Sequence, residues 1–221
     1  MRIIKAISPN TISRLPRYLR HLRSLEKSGY ERTSSAHMAN NMSTTASQVR
    51  QDLSAFGTYG SQGYGYNITH LASEIEKILG LHTSHKIAVI GVGGIGKALL
   101  EHMDFAKYHY HVTAAFDVNP ELIGTEINGV KVYSIDCLPE MMKRHPVDIC
   151  MLTVSTEAAE VVAKILYRCG VPAIWNFTNV DLNLEHTDML VQNVNFYDSL
   201  FALTYYLEES YLRQGKKAVN A

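Results

Sequence analysis

The chain has 221 residues, 46% of them apolar, a size and composition that fit one large globular domain or two small ones. No uncharged apolar run approaches 18 residues, so no membrane span is expected, and "MRIIKAISPN" breaks at Pro9 before it builds a signal-peptide core. Cys137, Cys150 and Cys169 show no CxxC pairing and read as reduced cytoplasmic residues, and the ten histidines contain no HExxH, which argues against a metal site. Net charge is zero but unevenly spread. Residues 1–70 hold nine Lys/Arg and three Asp/Glu (+6); residues 71–221 hold twelve and eighteen (−6). A basic first third on an acidic remainder suggests two modules, the first facing a polyanion; a merely solvated basic helix is the alternative.

"TISRLPRYLRHLRSLEKSG" (11–29) predicts a helix with Leu15, Tyr18, Leu19, Leu22 and Leu25 on one face. Pro16 falls in its first turn, Gly29 ends it, and Arg14, Arg17, Arg20 and Arg23 take the remaining surface. "SSAHMANNM" (34–42) predicts a short helix capped by Ser34 or Ser35. "TTASQVRQDLSAFG" (44–57) predicts a third, with Val49, Leu53 and Phe56 inward and Ser47, Gln48, Arg50 and Gln51 largely outward. Such a pair has helix-turn-helix proportions, and the second helix would enter a major groove. Gln and Arg suit that work because each bonds two base-edge atoms, Gln on adenine and Arg on guanine. The competing account is a structural three-helix bundle. "FGTYGSQGYGYN" (56–67) then predicts a tight hairpin, a wing that would lay Ser61, Gln62 and Tyr64 along DNA.

From residue 86 strands and helices alternate. Strands are expected at 86–90, 111–116, 130–134, 147–154, 172–177 and 190–194, with helices at about 94–103, 138–145 and 156–169. The pattern predicts a parallel sheet covered on both faces. "GVGGIG" (Gly91, Val92, Gly93, Gly94, Ile95, Gly96) is a GxGxxG turn after a strand and before a helix. Asp117, twenty-one residues beyond Gly96, ends the next strand. Gly91 permits the tight turn, Gly93 lets backbone N–H groups approach a pyrophosphate, and Gly96 lets the helix pack closely. Asp117 would accept from ribose hydroxyls and repel a 2′-phosphate, so NADH and NAD+ are preferred over their phosphorylated forms. Asp117 as a mere turn cap before Pro120, or a sheet that holds coenzyme A, are the alternatives.

Hydride-transfer enzymes usually need a proton donor, and no Tyr-x-x-x-Lys pair occurs. Thr153, Val154 and Asn176, at strand C-termini, would flank the nicotinamide without serving as acid or base. No catalytic residue is expected; the cofactor is read rather than turned over. "YDSLFALTYYLEESYLRQG" (197–215) predicts a last helix, either lying on its own sheet or docking on a second subunit.

The layout and the phrases "RLPRYLRHL", "TASQVRQDLSAFG", "GYGYN", "GVGGIGKALL", "AAFDVNPELIG", "LTVSTEAA" and "WNF" resemble the Rex redox-sensing transcriptional repressors over nearly the whole chain. The resemblance implies an α/β protein: a winged helix-turn-helix (1–80), a Rossmann-type parallel sheet that binds NAD(H) (81–196) and a C-terminal dimer-arm helix (197–221). It implies a homodimer on an inverted-repeat operator in double-stranded DNA, released when NADH binds, with no metal and no membrane. It also implies that Phe196 seals the partner's nicotinamide pocket. This chain departs from the family where a basic wing pair is replaced by Ser61 and Gln62, and where Gln51 replaces a second basic residue. It departs again where a sensing tyrosine and aspartate are replaced by His102 and Asn195. Two other functions compete: an NAD-dependent oxidoreductase with a basic oligomerisation module, and an NAD-binding interaction protein without DNA binding.

Overall fold

The computed structural model describes residues 7–42, 44–57, 59–61, 64–182, 184 and 187–214. They fall into two compact units, divided between Thr83 and Ser84.

The first unit opens with α1 (Pro9–Lys27), capped by Ser8, whose hydroxyl accepts from the Thr11 N–H. The helix starts two residues before the expected span (11–29), so Pro9 takes the first turn and Pro16 lies in the helix interior rather than its first turn. Pro16 is tolerated because it and Ile12 are exposed, leaving the carbonyl that lacks a donor open to water. On the opposite side Leu15, Tyr18 and Leu22 are fully buried. α2 (Ser35–Asn40) is capped by Ser34 and α3 (Ala46–Ser54) by Thr45, both shorter than the expected spans. The wing is β2 (Gly60–Ser61) antiparallel to β3 (Gly65–Asn67), and β1 (Arg32–Thr33) pairs with the other edge of β3. Gly65 has φ +67°, and a Cβ there would strike the Thr33 carbonyl, so the close pairing requires glycine. α4 (Ile68–Ile78), capped by Asn67, completes the unit. Its Ile68, Leu71 and Ile75 join Met38, Val49 and Leu53 in one core.

The second unit runs β4 (His85–Ile90), α5 (Gly94–His102), β5 (Tyr110–Asp117), β6 (Glu126–Ile127) and β7 (Val130–Ser134). It continues with α6 (Leu138–Arg144), β8 (Ile149–Leu152), α7 (Thr156–Arg168), β9 (Ala173–Asn176), β10 (Leu190–Asn193) and α8 (Phe196–Arg213). The sheet order is β10-β9-β8-β4-β5-β7-β6, with every pairing parallel except β6 with β7. β6 and β7 are joined by Asn128-Gly129, both at positive φ, the turn that a two-residue hairpin requires. β5 and β8 flank β4 on opposite sides, so the chain switches direction beside β4, and the loop after β4 lies at that switch point.

α6 and α7 cover one face of the sheet, burying Ile90, Phe116, Leu138, Leu152 and Leu166. The other face is covered only in part. α5 packs over Val89, Ala115 and Val132, but residues 177–189 run from β9 to β10 without a helix among those described. An open apolar groove of about 700 Å³ remains, lined by Ile87, Phe105, Ile149, Trp175 and Val191 among others. The expectation of two covered faces fails here. The apolar helix that has no partner is α8, which buries none of its 18 residues and exposes Leu200, Phe201, Leu203 and Leu207.

Candidate DNA-binding and nucleotide-binding sites

In the first unit, Ser47, Arg50 and Gln51 are exposed on α3, and Gln48 is half-buried. Arg50 Nη1 donates to Ser35 Oγ at 3.0 Å, which ties the outer face of α3 to the start of α2. Tyr64, at the wing turn, is 75% exposed; Ser61 contributes its backbone to β2, and Gln62 lies outside the described residues. Arg32, which the sequence reading passed over, braces the wing by donating from Nε to the Tyr64 carbonyl at 2.8 Å.

The basic character of α1 is largely spent inside the unit. Arg14 grips Asp52 of α3 through Nε and Nη2 at 2.6 and 2.7 Å. Arg17 donates to the Met42 carbonyl at 2.8 Å, and Arg23 holds Glu76 and Glu26, each at 2.6 Å. Three of the four arginines expected on the surface thus brace the unit from within, Arg14 and Arg23 between helices and Arg17 onto the turn after α2. Asp52 is 2% exposed and accepts also from Tyr18 Oη at 2.6 Å and Gln48 Nε2 at 2.8 Å. Burial opposes its ionisation, but the donors from Arg14, Tyr18 and Gln48 outweigh that and hold the carboxyl below its ordinary range. The Tyr18 hydroxyl, buried and bound to that anion, is pushed up to about 12. The signal for Asp52 was present: it follows Val49 by three residues, on the buried face of α3.

In the second unit the glycine loop connects β4 to α5. Gly91 has φ +93°, and a Cβ there would lie 2.9 Å from backbone atoms of Thr153 and Val154. A Cβ on Gly96 would strike the Gly91 carbonyl and come within 2.8 Å of Thr153 Oγ1. Gly93 and Gly94 differ, because nothing lies within 4 Å of a Cβ at either. α5 starts at Gly94 with no side chain capping it, which leaves its first-turn N–H groups without a side-chain acceptor. An uncapped, positive helix end with open space at Gly93 and Gly94 is an arrangement that suits a phosphate, a candidate cradle.

Asp117 closes the loop from the next strand. Its Oδ2 accepts from the Val92 N–H at 2.5 Å and its Oδ1 from the Asn119 N–H at 2.8 Å. Each oxygen keeps a lone pair for a hydroxyl. Thr153 donates to the Gly91 and Ile90 carbonyls at 2.5 and 3.1 Å and so buttresses the loop. Asn176 is 1% exposed and saturated: Nδ2 donates to Val180 O and Asn193 Oδ1, and Oδ1 accepts from the N–H and hydroxyl of Thr178. Its amide pins the loop after β9, and Val154 sits beside Thr153 at the mouth of the sheet. Phe196, 51% exposed, continues an aromatic row with Phe177 (6.4 Å) and Trp175 (4.6 Å from Phe177). Asn195 caps α8, accepting from the Tyr197 N–H at 3.0 Å; His102 ends α5, exposed. No acid–base pair stands beside the cradle among the described residues, and none of them group as metal ligands.

A winged helix joined to a Rossmann-type sheet with an open phosphate cradle defines a nucleotide-binding transcriptional regulator. Residues 6–54 match the family model for the N-terminus of putative DNA-binding proteins, and residues 82–180 match that for a CoA binding domain. The Rex redox-sensing transcriptional repressor of a Thermoanaerobacter species is 39% identical over 215 residues, 97% of this chain and 96% of the relative. That of Clostridium botulinum is 42% identical over 200 residues, 90% and 95% of the two chains. Among solved structures, RSP, a Rex-family repressor, matches with TM-score 0.87 and 37% identity over 96% of this chain and 98% of its own. RSP in complex with β-NAD+ and operator DNA matches with TM-score 0.85 and 38% identity over 97% and 100%. RSP with β-NADH gives 0.87 and 36% over 96% and 99%. The chain belongs to the Rex family of redox-sensing transcriptional repressors. Its relatives are repressors, not enzymes, and the liganded RSP structures hold NAD+ or NADH rather than coenzyme A.

Proposed function

We propose that this chain represses transcription as a homodimer, binding an inverted-repeat operator through residues 1–80 and NAD(H) through residues 81–196, and that NADH releases the DNA. The observation that carries the reading is the cradle at Gly93 and Gly94, open in front of an uncapped helix and closed on one side by Asp117. Backbone donors there would hold the pyrophosphate, and Asp117 would hold the adenosine ribose. Thr153, Val154 and Asn176 would frame the nicotinamide end. On DNA, Ser47, Gln48, Arg50 and Gln51 would meet the major groove, with Ser61, Gln62 and Tyr64 on the wing. The cytoplasm, where operator DNA is met, is the proposed site of work.

The second copy is argued from unmatched surfaces. α8, the described part of the proposed arm (197–221, of which 215–221 lie outside the described residues), exposes a run of apolar side chains, and the sheet offers an apolar groove beside Trp175. A second copy of α8 laid in that groove would bury both, and a two-fold dimer fits two operator half-sites. Phe196 would then sit against the neighbouring nicotinamide. For NADH to release DNA it must bind the released form more tightly, and operator must weaken NADH binding by the same factor, about 1–3 kcal/mol of coupling. Gel-shift of an inverted-repeat operator with increasing NADH tests the whole reading. Retardation abolished by NADH is expected; DNA affinity untouched at saturating NADH would refute it, and turnover of NADH with a small carbonyl would favour an oxidoreductase.

A further inference from the structure

Two glutamines face outward from α3, and they are held differently. Gln51 is exposed, and its side-chain amide makes no hydrogen bond among the described residues. Gln48, half-buried one turn before Asp52, donates from Nε2 to Asp52 Oδ1 at 2.8 Å. That carboxylate is buried and already receives Arg14, Tyr18 and, at 3.3 Å, Thr11 Oγ1. An ionised carboxylate only accepts, so it dictates which end of the Gln48 amide turns toward it. The NH2 end faces Asp52. The carbonyl Oε1 and the second Nε2–H are left without a partner among the described residues.

The chemistry of base edges gives that asymmetry a meaning. Adenine presents a donor, N6–H2, beside an acceptor, N7; guanine presents two acceptors, O6 and N7. A glutamine with one acceptor and one N–H to offer matches adenine. A freely turning glutamine can point both N–H groups at guanine. We propose that Asp52 is a positioning residue for sequence readout: by taking one Nε2–H of Gln48 it sets that amide to read adenine and withholds the second donor guanine requires. This rests on the reading that α3 enters the major groove. Gln51, with no such anchor, tolerates either purine at the pair it meets.

Base preferences measured with the full chain across a randomised half-site, for the parent, Gln48→Ala, Asp52→Asn and Gln51→Ala, test this. In the parent, one pair of each half-site favours adenine over guanine by about tenfold, the lower end of what a good bidentate contact supplies. Gln48→Ala brings that pair to within about twofold. Asp52→Asn raises guanine there to at least equality, because an asparagine can offer its own NH2 to Oε1 and turn the Gln48 amide round. Preferences at all other pairs stay as in the parent. If Asp52→Asn keeps the adenine preference at the pair that Gln48→Ala levels, the proposal is overturned while α3 stays on the DNA. If Gln48→Ala changes no pair, Gln48 is not on a base edge and the underlying placement fails instead. Where Asp52→Asn does not fold, the Gln48 side-chain amide of the parent is read by NMR. One Nε2 proton resonance moved downfield of the ordinary glutamine range and protected from exchange with solvent is expected; both protons at free side-chain positions and exchanging freely overturn the proposal.

Discussion

Asp52 and Asp117 are the same residue type put to opposite uses. Asp52 is sealed inside the winged helix, with a guanidinium, a phenol and an amide filling its oxygens. Asp117 stands half-buried at the rim of the sheet, where two backbone N–H groups fix its direction and leave it unfilled. A carboxylate saturated by side chains organises the fold around itself. One oriented by backbone alone remains available for a ligand. The units differ in the same way: the first presents side chains on a helix held from behind, the second presents backbone and holds the space in front of it empty.

Removing the filled carboxylate should do the most damage. Asp52→Ala strands Arg14 against a buried face, and breaking a buried pair costs about 3–5 kcal/mol. The lower end is expected, since the Arg14 side chain is 28% exposed and can recover some hydration. Calorimetry should show the first unit melting earlier, with NADH affinity of the second unit unchanged. The pH dependence has a definite sign. The folded carboxyl lies below its ordinary value of 3.8, so its contribution is complete above that pH and lost as pH falls through the folded value. The gap between parent and variant should therefore close on acidification below about pH 4. A gap that persists in acid would mean that Asp52 matters by shape rather than charge.

Next come the glycines, which separate fold from ligand within one loop. Gly91→Ala forces a Cβ onto the Thr153 backbone at positive φ, so the loop must move, and NADH affinity should fall by about a hundredfold, ~2.7 kcal/mol. Gly93→Ala meets no protein atom, so the melting temperature should hold while the methyl stands in the cradle and NADH binding drops by about tenfold or more. Equal NADH affinity in Gly93→Ala and the parent would move the pyrophosphate elsewhere.

What the sequence disclosed follows the same division. The loop was legible because its geometry admits few residues: strand, GxGxxG, helix and the acid at the next strand end are all fixed in spacing. The strands of the sheet could be read from short apolar runs. α4 was missed, although Asn67 caps it and Ile68, Leu71, Ala72 and Ile75 mark its buried face. β1 is two residues long and pairs with a strand more than thirty residues away, which no local pattern reveals. Asn128-Gly129 is by contrast a local hairpin signal, and both residues take positive φ. The grip of Arg14 on Asp52 spans 38 residues, so the helix read as a basic surface was largely an internal scaffold. The uncovered face was invisible for another reason: nothing in an apolar strand tells whether its cover comes from the same chain.

Smaller effects probe the contacts themselves. Arg50→Ala removes an exposed guanidinium that donates to Ser35, and operator affinity should fall by about 1–3 kcal/mol with NADH affinity unchanged. Unchanged operator affinity would place Arg50 away from the duplex. Asp117→Ala should weaken NADH by about fifteenfold, the lower end of the ~1.5–3 kcal/mol of a charged hydrogen bond, and narrow the preference over NADPH. Tight NADPH binding by the parent would instead show that Asp117 only caps its loop.

The smallest expected effect concerns charge at the start of α8. Asn195 caps that helix through Oδ1, and aspartate caps as well as asparagine, so Asn195→Asp should leave the helix start intact and change only the charge. In the proposed dimer the residue beside Phe196 approaches a nicotinamide, which is cationic in NAD+ and neutral in NADH. A carboxylate there attracts only the cation. At a partly hydrated site the attraction amounts to about 0.3–1 kcal/mol, so the ratio of the two dissociation constants should shift roughly two- to fivefold toward NAD+. The shift should shrink as salt rises, because screening acts on the charge and not on the cap. Titrating both nucleotides at low and high ionic strength reads it directly. A shift that ignores salt would trace to altered helix geometry, and no shift at all would put the start of α8 away from the nicotinamide.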